Sequence, residues 1–214
     1  HCNFATHQAD LIIGIGLRFD DRITGTLEDF AKGAKVIHVD IDPAEIGKNI
    51  PVEVPIVGDC KKILTKLTSS TNPGNYSNWI SEIEEFKKTI RKSINTFNTK
   101  THKGSDLLKV GDVISAISKE TDEHSIVVTD VGQHQMFTAQ YFEFNHPDKI
   151  VTSAGLGSMG YGLPGAIGAK IGCPEDNVWL INGDGGFQMN LQELMTVVQE
   201  NLSIKIVLIN NGYL

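Results

Sequence analysis

Val178-Trp179-Leu180-Ile181-Asn182-Gly183-Asp184-Gly185-Gly186 decides the reading of this chain. Its apolar start, within Asn177 to Ile181, has the composition of a parallel strand covered on both faces. Gly183-Asp184-Gly185-Gly186 then turns it into a helix, which aims a carboxylate and free backbone N–H groups at the carboxyl edge of a sheet. Alone, Gly183-Asp184-Gly185 reads more readily as an ordinary strand-to-helix turn with Asp184 as its N-cap.

Working outward, the helix predicted over Phe187 to Glu200 leads to a second apolar strand, Ile204 to Ile209, which ends on Asn210-Asn211. Two neighbouring strands would thus bring Asp184 and Asn211 to one edge, where both offer hard oxygen. Magnesium takes near-octahedral oxygen ligands at about 2.0–2.1 Å, few of them from protein. Asp184, the Asn211 amide and a backbone carbonyl near Tyr213 suit it.

Upstream, helix and strand alternate from Lys109: a helix over Val110 to Lys119, a strand over Ser125 to Thr129, a helix over Gln133 to Phe142, a strand over Ile150 to Ser153 and a Gly-rich helix from Met159. Such alternation predicts an α/β fold of right-handed crossovers with ligands at the carboxyl edge. The N-terminal part repeats the pattern. Leu11 to Gly16 and Lys35 to Ile41 are strands, Thr26 to Ala31 a short helix, Val54 to Asp59 a further strand and Lys61 to Leu67 a helix.

Turn chemistry over residues 68–76 separates the two. Trp79, Ile83, Phe86, Ile90, Ile94 and Phe97 follow on one face of an amphipathic helix. The division expected is therefore 1–72, a partial Rossmann-like unit; 73–105, linker and helix; and 106–214, a second Rossmann-like parallel-sheet unit.

A formal charge of −7 and a pI near 5.5 argue against nucleic acid or an anionic membrane as partner. Cys2, Cys60 and Cys173 have no disulfide or zinc spacing. With no bilayer-length apolar run and no signal pattern, a cytoplasmic location is expected. His1 in place of an initiator Met, and an end directly after a strand, read as an excised piece.

The Gly183-Asp184-Gly185 and Asn210-Asn211 pair resembles the cofactor signature of thiamine diphosphate enzymes. Val131-Gly132-Gln133-His134-Gln135-Met136, the string from Gly155 to Pro164, and Arg18-Phe19-Asp20-Asp21-Arg22 are similar to the acetohydroxyacid synthase (acetolactate synthase) catalytic subunits, and the resemblance covers nearly the whole chain. It implies thiamine diphosphate held by Val131, Gly132, Gln133, His134, Gln135, Gly183, Gly185 and Gly186, with Mg2+ on Asp184, Asn211 and Tyr213. Met159 would be the apolar wedge that bends the cofactor, a use suited to an adaptable thioether. The Gly157 carbonyl would accept from the aminopyrimidine.

Gly14-Ile15-Gly16 lacks a third glycine at fingerprint spacing, so alone it says little of a dinucleotide. The resemblance implies FAD on Gly16, Leu17, Arg18, Asp20, Arg22, Ile23, Asp40, Ile41, Gly58 and Asp59. Arg18 and Arg22 suit a pyrophosphate and Asp40 a ribose, and an exposed ion-pair cluster is the other reading of Arg18 to Arg22. The resemblance would put His1 against the flavin, but Cys2 stands where the family usually has glycine, a departure that counts against that contact.

The implied reaction is decarboxylation of pyruvate and transfer of its two-carbon unit to a second 2-oxo acid, pyruvate or 2-oxobutyrate, in branched-chain amino-acid synthesis. Pyruvate oxidase, glyoxylate carboligase and a non-catalytic cofactor-binding domain are the alternatives. A homodimer or homotetramer with a small regulatory subunit is implied. No residue here matches the family's activating glutamate, so the 214-residue chain alone is expected to be inactive.

Overall fold

A computed structural model describes residues 2–101 and 108–211, with the side chains of 91–101 left aside. The chain divides into two compact units, residues 1–105 and 106–214.

In the first unit α1 (Cys2–Gln8) precedes β1 (Leu11–Ile15), followed by α2 (Asp21–Thr24), β2 (Lys35–Asp40), β3 (Val54–Val57), α3 (Cys60–Ser70) and α4 (Ser77–Thr101). The strands form a parallel sheet in the order β1-β2-β3. Phe19, Val36 and Ile50 make its core, with Ile12, Leu17, Phe30 and Val52 packed around them. Trp79, Ile83, Phe86 and Ile90 are the half-buried positions expected on α4. Phe86 meets Phe4 of α1 at 6.0 Å between ring centres, whereas Ile94 and Phe97 lie outside the described side chains.

Two predictions for this unit change. The Thr26–Ala31 helix shrinks to a single 3₁₀ turn, Leu27–Asp29, while the helical residues lie just before it in α2. Asp20 is the reason, since its carboxylate accepts from the Arg22 N–H and caps α2. The turn residues expected from Thr68 also begin late, because α3 continues to Ser70.

The second unit runs α5 (Val110–Glu120), β4 (Ser125–Thr129), α6 (Gln133–Tyr141), β5 (Ile150–Val151), α7 (Gly162–Gly172), β6 (Asn177–Gly183), α8 (Asp184–Met189), α9 (Leu194–Gln199) and β7 (Ile204–Ile209). Its sheet is wholly parallel, in the order β5-β4-β6-β7. Strand alternation sends Ile126, Val128, Val178 and Leu180 to a face covered by α7, α8 and α9, and Val127 and Ile181 to a face covered by α5 and α6. Every β4 residue is buried, which is why its sequence reads as apolar without alternation.

From β4 the chain passes to β5 on one side and then crosses to β6 on the other. The carboxyl ends of β4 and β6 are therefore the topological switch point, where open α/β sheets bind their ligands.

The helix predicted from Phe187 to Glu200 is broken. α8 stops at Met189, Asn190 adopts φ −132°, ψ 25°, and a 3₁₀ turn over Leu191–Glu193 leads into α9. The helix predicted from Met159 starts only at Gly162, and the strand predicted to Ser153 ends at Val151. Met159 itself lies in a turn. Among the described residues, no helix is long and apolar enough to cross a membrane.

Candidate active site

β4, β6 and β7 end side by side. Their register pairs Thr129 with Ile181 and Gly183 with Ile209, so Asp130 lies beside Asn182, and Asp184 lies one strand from Asn210-Asn211. Adjacent strands are about 4.7–4.9 Å apart, close enough for one cation to reach both Asp184 and Asn211. The predicted pair thus shares an edge. Tyr213, the third predicted ligand, lies outside the described residues.

The Asn211 amide nitrogen donates to the Gln133 side-chain oxygen at 3.3 Å. This ties the end of β7 to the start of α6. Gly132, at φ 144°, offers no side-chain cap to the Gln133 and His134 N–H groups that open α6, while the Gln135 N–H donates to the Gly132 carbonyl at 3.1 Å. Gln133 is exposed, and Val131 and Gln135 are half-buried. Gln135, expected beside an anion, gives its amide hydrogen instead to Thr152 Oγ1 at 2.9 Å and fastens α6 to the loop after β5.

His134 is 5% exposed, and its Nε2 has no hydrogen-bond partner among the described residues. Burial pushes its pKa below the ordinary 6.5, while the Asp130 charge, a hydrogen bond to the Asp130 backbone and the Asp184 charge pull it the other way. Close approach of backbone is built in around it. A Cβ on Gly183 would stand 2.9 Å from His134 Nδ1, and one on Gly132 3.1 Å from Cε1. An orphaned imidazole nitrogen, uncapped helix N–H groups and glycine cradles fit a diphosphate; one carboxylate and one amide oxygen fit a magnesium ion that takes its remaining ligands from phosphate and water.

Sequence reasoning passed over Asp130, Asn182 and Asn190. Asp130 and Asn182 are both 0% exposed. The Asp130 carboxylate accepts from the N–H groups of Val131 at 2.8 Å, Gly160 at 3.1 Å and Gly162 at 2.6 Å. Neither polar atom of the Asn182 side chain has a hydrogen-bond partner among the described residues. A charge closing the otherwise apolar Ser125 to Thr129 strand, just before Val131-Gly132, was the available signal. Asn190 donates to the Gly160 carbonyl at 2.7 Å.

Those bonds converge on Met159, whose side chain is 43% exposed. Gly157 (φ 60°) and Gly160 (φ 87°) take the left-handed conformations that the turn requires.

In the first unit the strand ends bring Gly16, Asp40 and Gly58 together: the Gly16 N–H donates to the Val39 carbonyl and the Gly58 N–H to the Asp40 carbonyl, both at 2.8 Å. The three acids have local partners. Asp20 pairs with Arg18 at 3.1 Å and caps α2, Asp40 accepts from the Asp42 N–H at 2.9 Å, and Asp59 caps α3 through the Lys62 N–H at 3.0 Å. Ile23 and Ile41 are exposed, and Leu17 packs against the core. Asn49 donates to the carbonyls of Arg18 and Phe19, and His38 lies 2.8 Å from the Leu17 carbonyl, so the Arg18–Arg22 loop is held from beneath. His1 lies outside the described residues.

The sequence that builds this switch point has counterparts among known proteins. Residues 130–214 match the family described as thiamine pyrophosphate enzyme, C-terminal TPP binding domain, and residues 1–67 match the thiamine pyrophosphate enzyme central domain. The chain belongs to the thiamine pyrophosphate enzymes. Within them, it is similar to acetolactate synthase large subunits: 46% identical over 98% of its length to that of Corynebacterium glutamicum and 47% over 100% to that of Cyanidium caldarium. It is also 43% identical, over 100% of its length, to acetolactate synthase 1, chloroplastic, of Nicotiana tabacum. The chain spans about a third of the length of these relatives, 33%, 36% and 32% respectively.

Proposed function

We propose that this chain is the cofactor-holding part of an acetolactate synthase catalytic subunit, acting on pyruvate and on pyruvate or 2-oxobutyrate as acceptor. The observation that carries the reading is the meeting of Asp184, Asn211, Gln133 and His134 at the ends of β4, β6 and β7, in a chain related over almost all its length to acetolactate synthases.

In this reading Asp184 and Asn211 hold magnesium, and Gln133, His134 and the first N–H groups of α6 hold the diphosphate oxygens. Val131, Gly132, Gly183, Gly185 and Gly186 let backbone come close to them. When bound, thiamine diphosphate supplies the carbon that attacks a 2-oxo acid and stabilises the charge left by loss of carbon dioxide. Met159 would support the rings of the bound cofactor, and the Gly157 carbonyl would accept from its amino group. Positioning of this kind would contribute through proximity rather than through a new functional group.

FAD is proposed at the strand ends of the first unit, with Arg22 facing its pyrophosphate and Asp40 its ribose. Arg18, already paired with Asp20, must share that carboxylate or release it. Oligomerisation of catalytic subunits, a small regulatory subunit and a cytoplasmic location complete the proposal.

The test is acetolactate formation from pyruvate by the full-length protein carrying this sequence, supplied with thiamine diphosphate, magnesium and FAD. Acetolactate supports the carboligase. Acetyl phosphate or tartronate semialdehyde from a cofactor-loaded protein, with the appropriate substrates, moves the assignment to an oxidase or to glyoxylate carboligase.

A further inference from the structure

Asp130 is a carboxylate with no solvent and, among the described residues, no ion pair. A buried charge is costly unless hydrogen bonds satisfy it. Here three backbone N–H groups do so, and two of them come from 30 and 32 residues further along. Of those two, Gly160 lies in the turn that carries Met159, and Gly162 opens the helix directly after it.

The same turn is held from other directions. Asn190 donates to the Gly160 carbonyl at 2.7 Å, and the Ser158 N–H donates to Ser153 Oγ at 3.0 Å. The Gly160 residue is therefore clamped at both ends, its N–H by Asp130 and its carbonyl by Asn190. Side chains are excluded at these points: a Cβ on Gly162 would lie 2.9 Å from the Asp130 Cβ, and one on Gly160 2.9 Å from the Asn190 amide nitrogen. Against this fixed base, Met159 is 43% exposed. An apolar side chain on a rigid turn binds with less ordering cost than one on a mobile loop.

We propose that Asp130, seconded by Asn190, is a positioning residue: its carboxylate fixes the Gly160 and Gly162 amides and thereby sets the height of Met159 beneath the ring system of the bound cofactor. The inference rests on the thiamine diphosphate site proposed above. Only an anionic carboxylate serves all three donors, because an amide offers one oxygen and turns two hydrogens toward N–H groups.

The experiment uses the full-length protein with magnesium and compares the parent, Asp130→Asn, Met159→Ala and the double variant. Affinities for thiamine diphosphate and for inorganic pyrophosphate are measured by calorimetry, and amide exchange is followed over residues 158–162. Loss of a hydrogen bond to a charged group predicts about tenfold weaker thiamine diphosphate binding in Asp130→Asn. Pyrophosphate affinity stays at the parent value, and exchange at Gly160 and Gly162 accelerates. In the Met159→Ala background, Asp130→Asn adds less than about twofold, since residues that act through one another are not additive.

Equal losses for both ligands, or an undiminished effect of Asp130→Asn without Met159, would overturn the positioning role while leaving the cofactor site standing. A parent that binds no thiamine diphosphate overturns both. Should Asp130→Asn fail to fold, Asn190→Ala decides: it acts on the same peptide and should weaken thiamine diphosphate about threefold, with pyrophosphate unaffected and no further loss in Met159→Ala. Any loss shared with pyrophosphate, or no loss at all, refutes the proposal.

Discussion

Gly186→Ala sets two physical effects against each other. Gly186 lies inside α8, where alanine is favoured by about 1 kcal/mol on helix propensity alone. The new Cβ, however, would collide with Asp130 Oδ1, and would stand 2.8 Å from Asp130 Cγ and 3.0 Å from Asn182 Oδ1. Both neighbours are fully buried, so neither can swing into solvent. Overpacking of this kind costs about 1–3 kcal/mol. Displacing the carboxylate far enough to lose one of its bonds adds about 1.5–3 kcal/mol. The net expectation is a loss of about 1.5–5 kcal/mol. Gly168→Ala is the matched control, an exposed position inside α7 with nothing within 4 Å of an added Cβ, and it should gain about 0.5–1 kcal/mol. Urea unfolding of the three chains measures both. A Gly186→Ala chain as stable as Gly168→Ala would refute the packing of α8 on Asp130.

His134 predicts a dependence on pH. Burial lowers its folded pKa below the unfolded 6.5, so the unfolded chain takes up its proton first, and stability should fall as pH drops below about 6.5 and stay level above it. In protein free of magnesium and thiamine diphosphate, a urea midpoint whose fall between pH 7.5 and 5.5 is as steep in His134→Asn as in the parent would assign that fall to other groups. Asp20→Ala removes both the α2 cap and the Arg18 pair, so it should cost about 1 kcal/mol as well as flavin retained through gel filtration; full retention would remove Asp20 from the FAD site. Leu180→Ala, at a fully buried position in the cluster that includes Val128 and Leu163, should cost about 2–5 kcal/mol, and a loss below about 1 kcal/mol in urea unfolding would contradict the core described.

The strands were legible because burial on both faces leaves runs such as Ile126-Val127-Val128 no room for polar residues. The shared edge of Gly183-Asp184 and Asn210-Asn211 was legible because both sit at strand ends, where the fold, not the local conformation, brings them together. What stayed hidden was decided by contacts distant in sequence. Nothing near Asn190 announces a break in the helix, since its partner is the Gly160 carbonyl. Asp130 shows its charge in the sequence but not its burial, and the two amides it holds lie beyond β5. The acids Asp20, Asp40 and Asp59 read as ligands of a nucleotide, and the structure shows that each already serves a local turn or cap. Asp20→Ala therefore tests a residue with two duties, where the sequence suggested one.

The most direct test of the central claim is calorimetric binding of thiamine diphosphate to the full-length protein, with and without magnesium, for the parent and Asp184→Asn. Binding is expected to require magnesium in the parent and to be at least about 100-fold weaker in Asp184→Asn, with the urea midpoint little changed, because the variant removes the one charged protein ligand proposed for the metal. Equal affinity in the two proteins, or binding in the parent indifferent to magnesium, would contradict it.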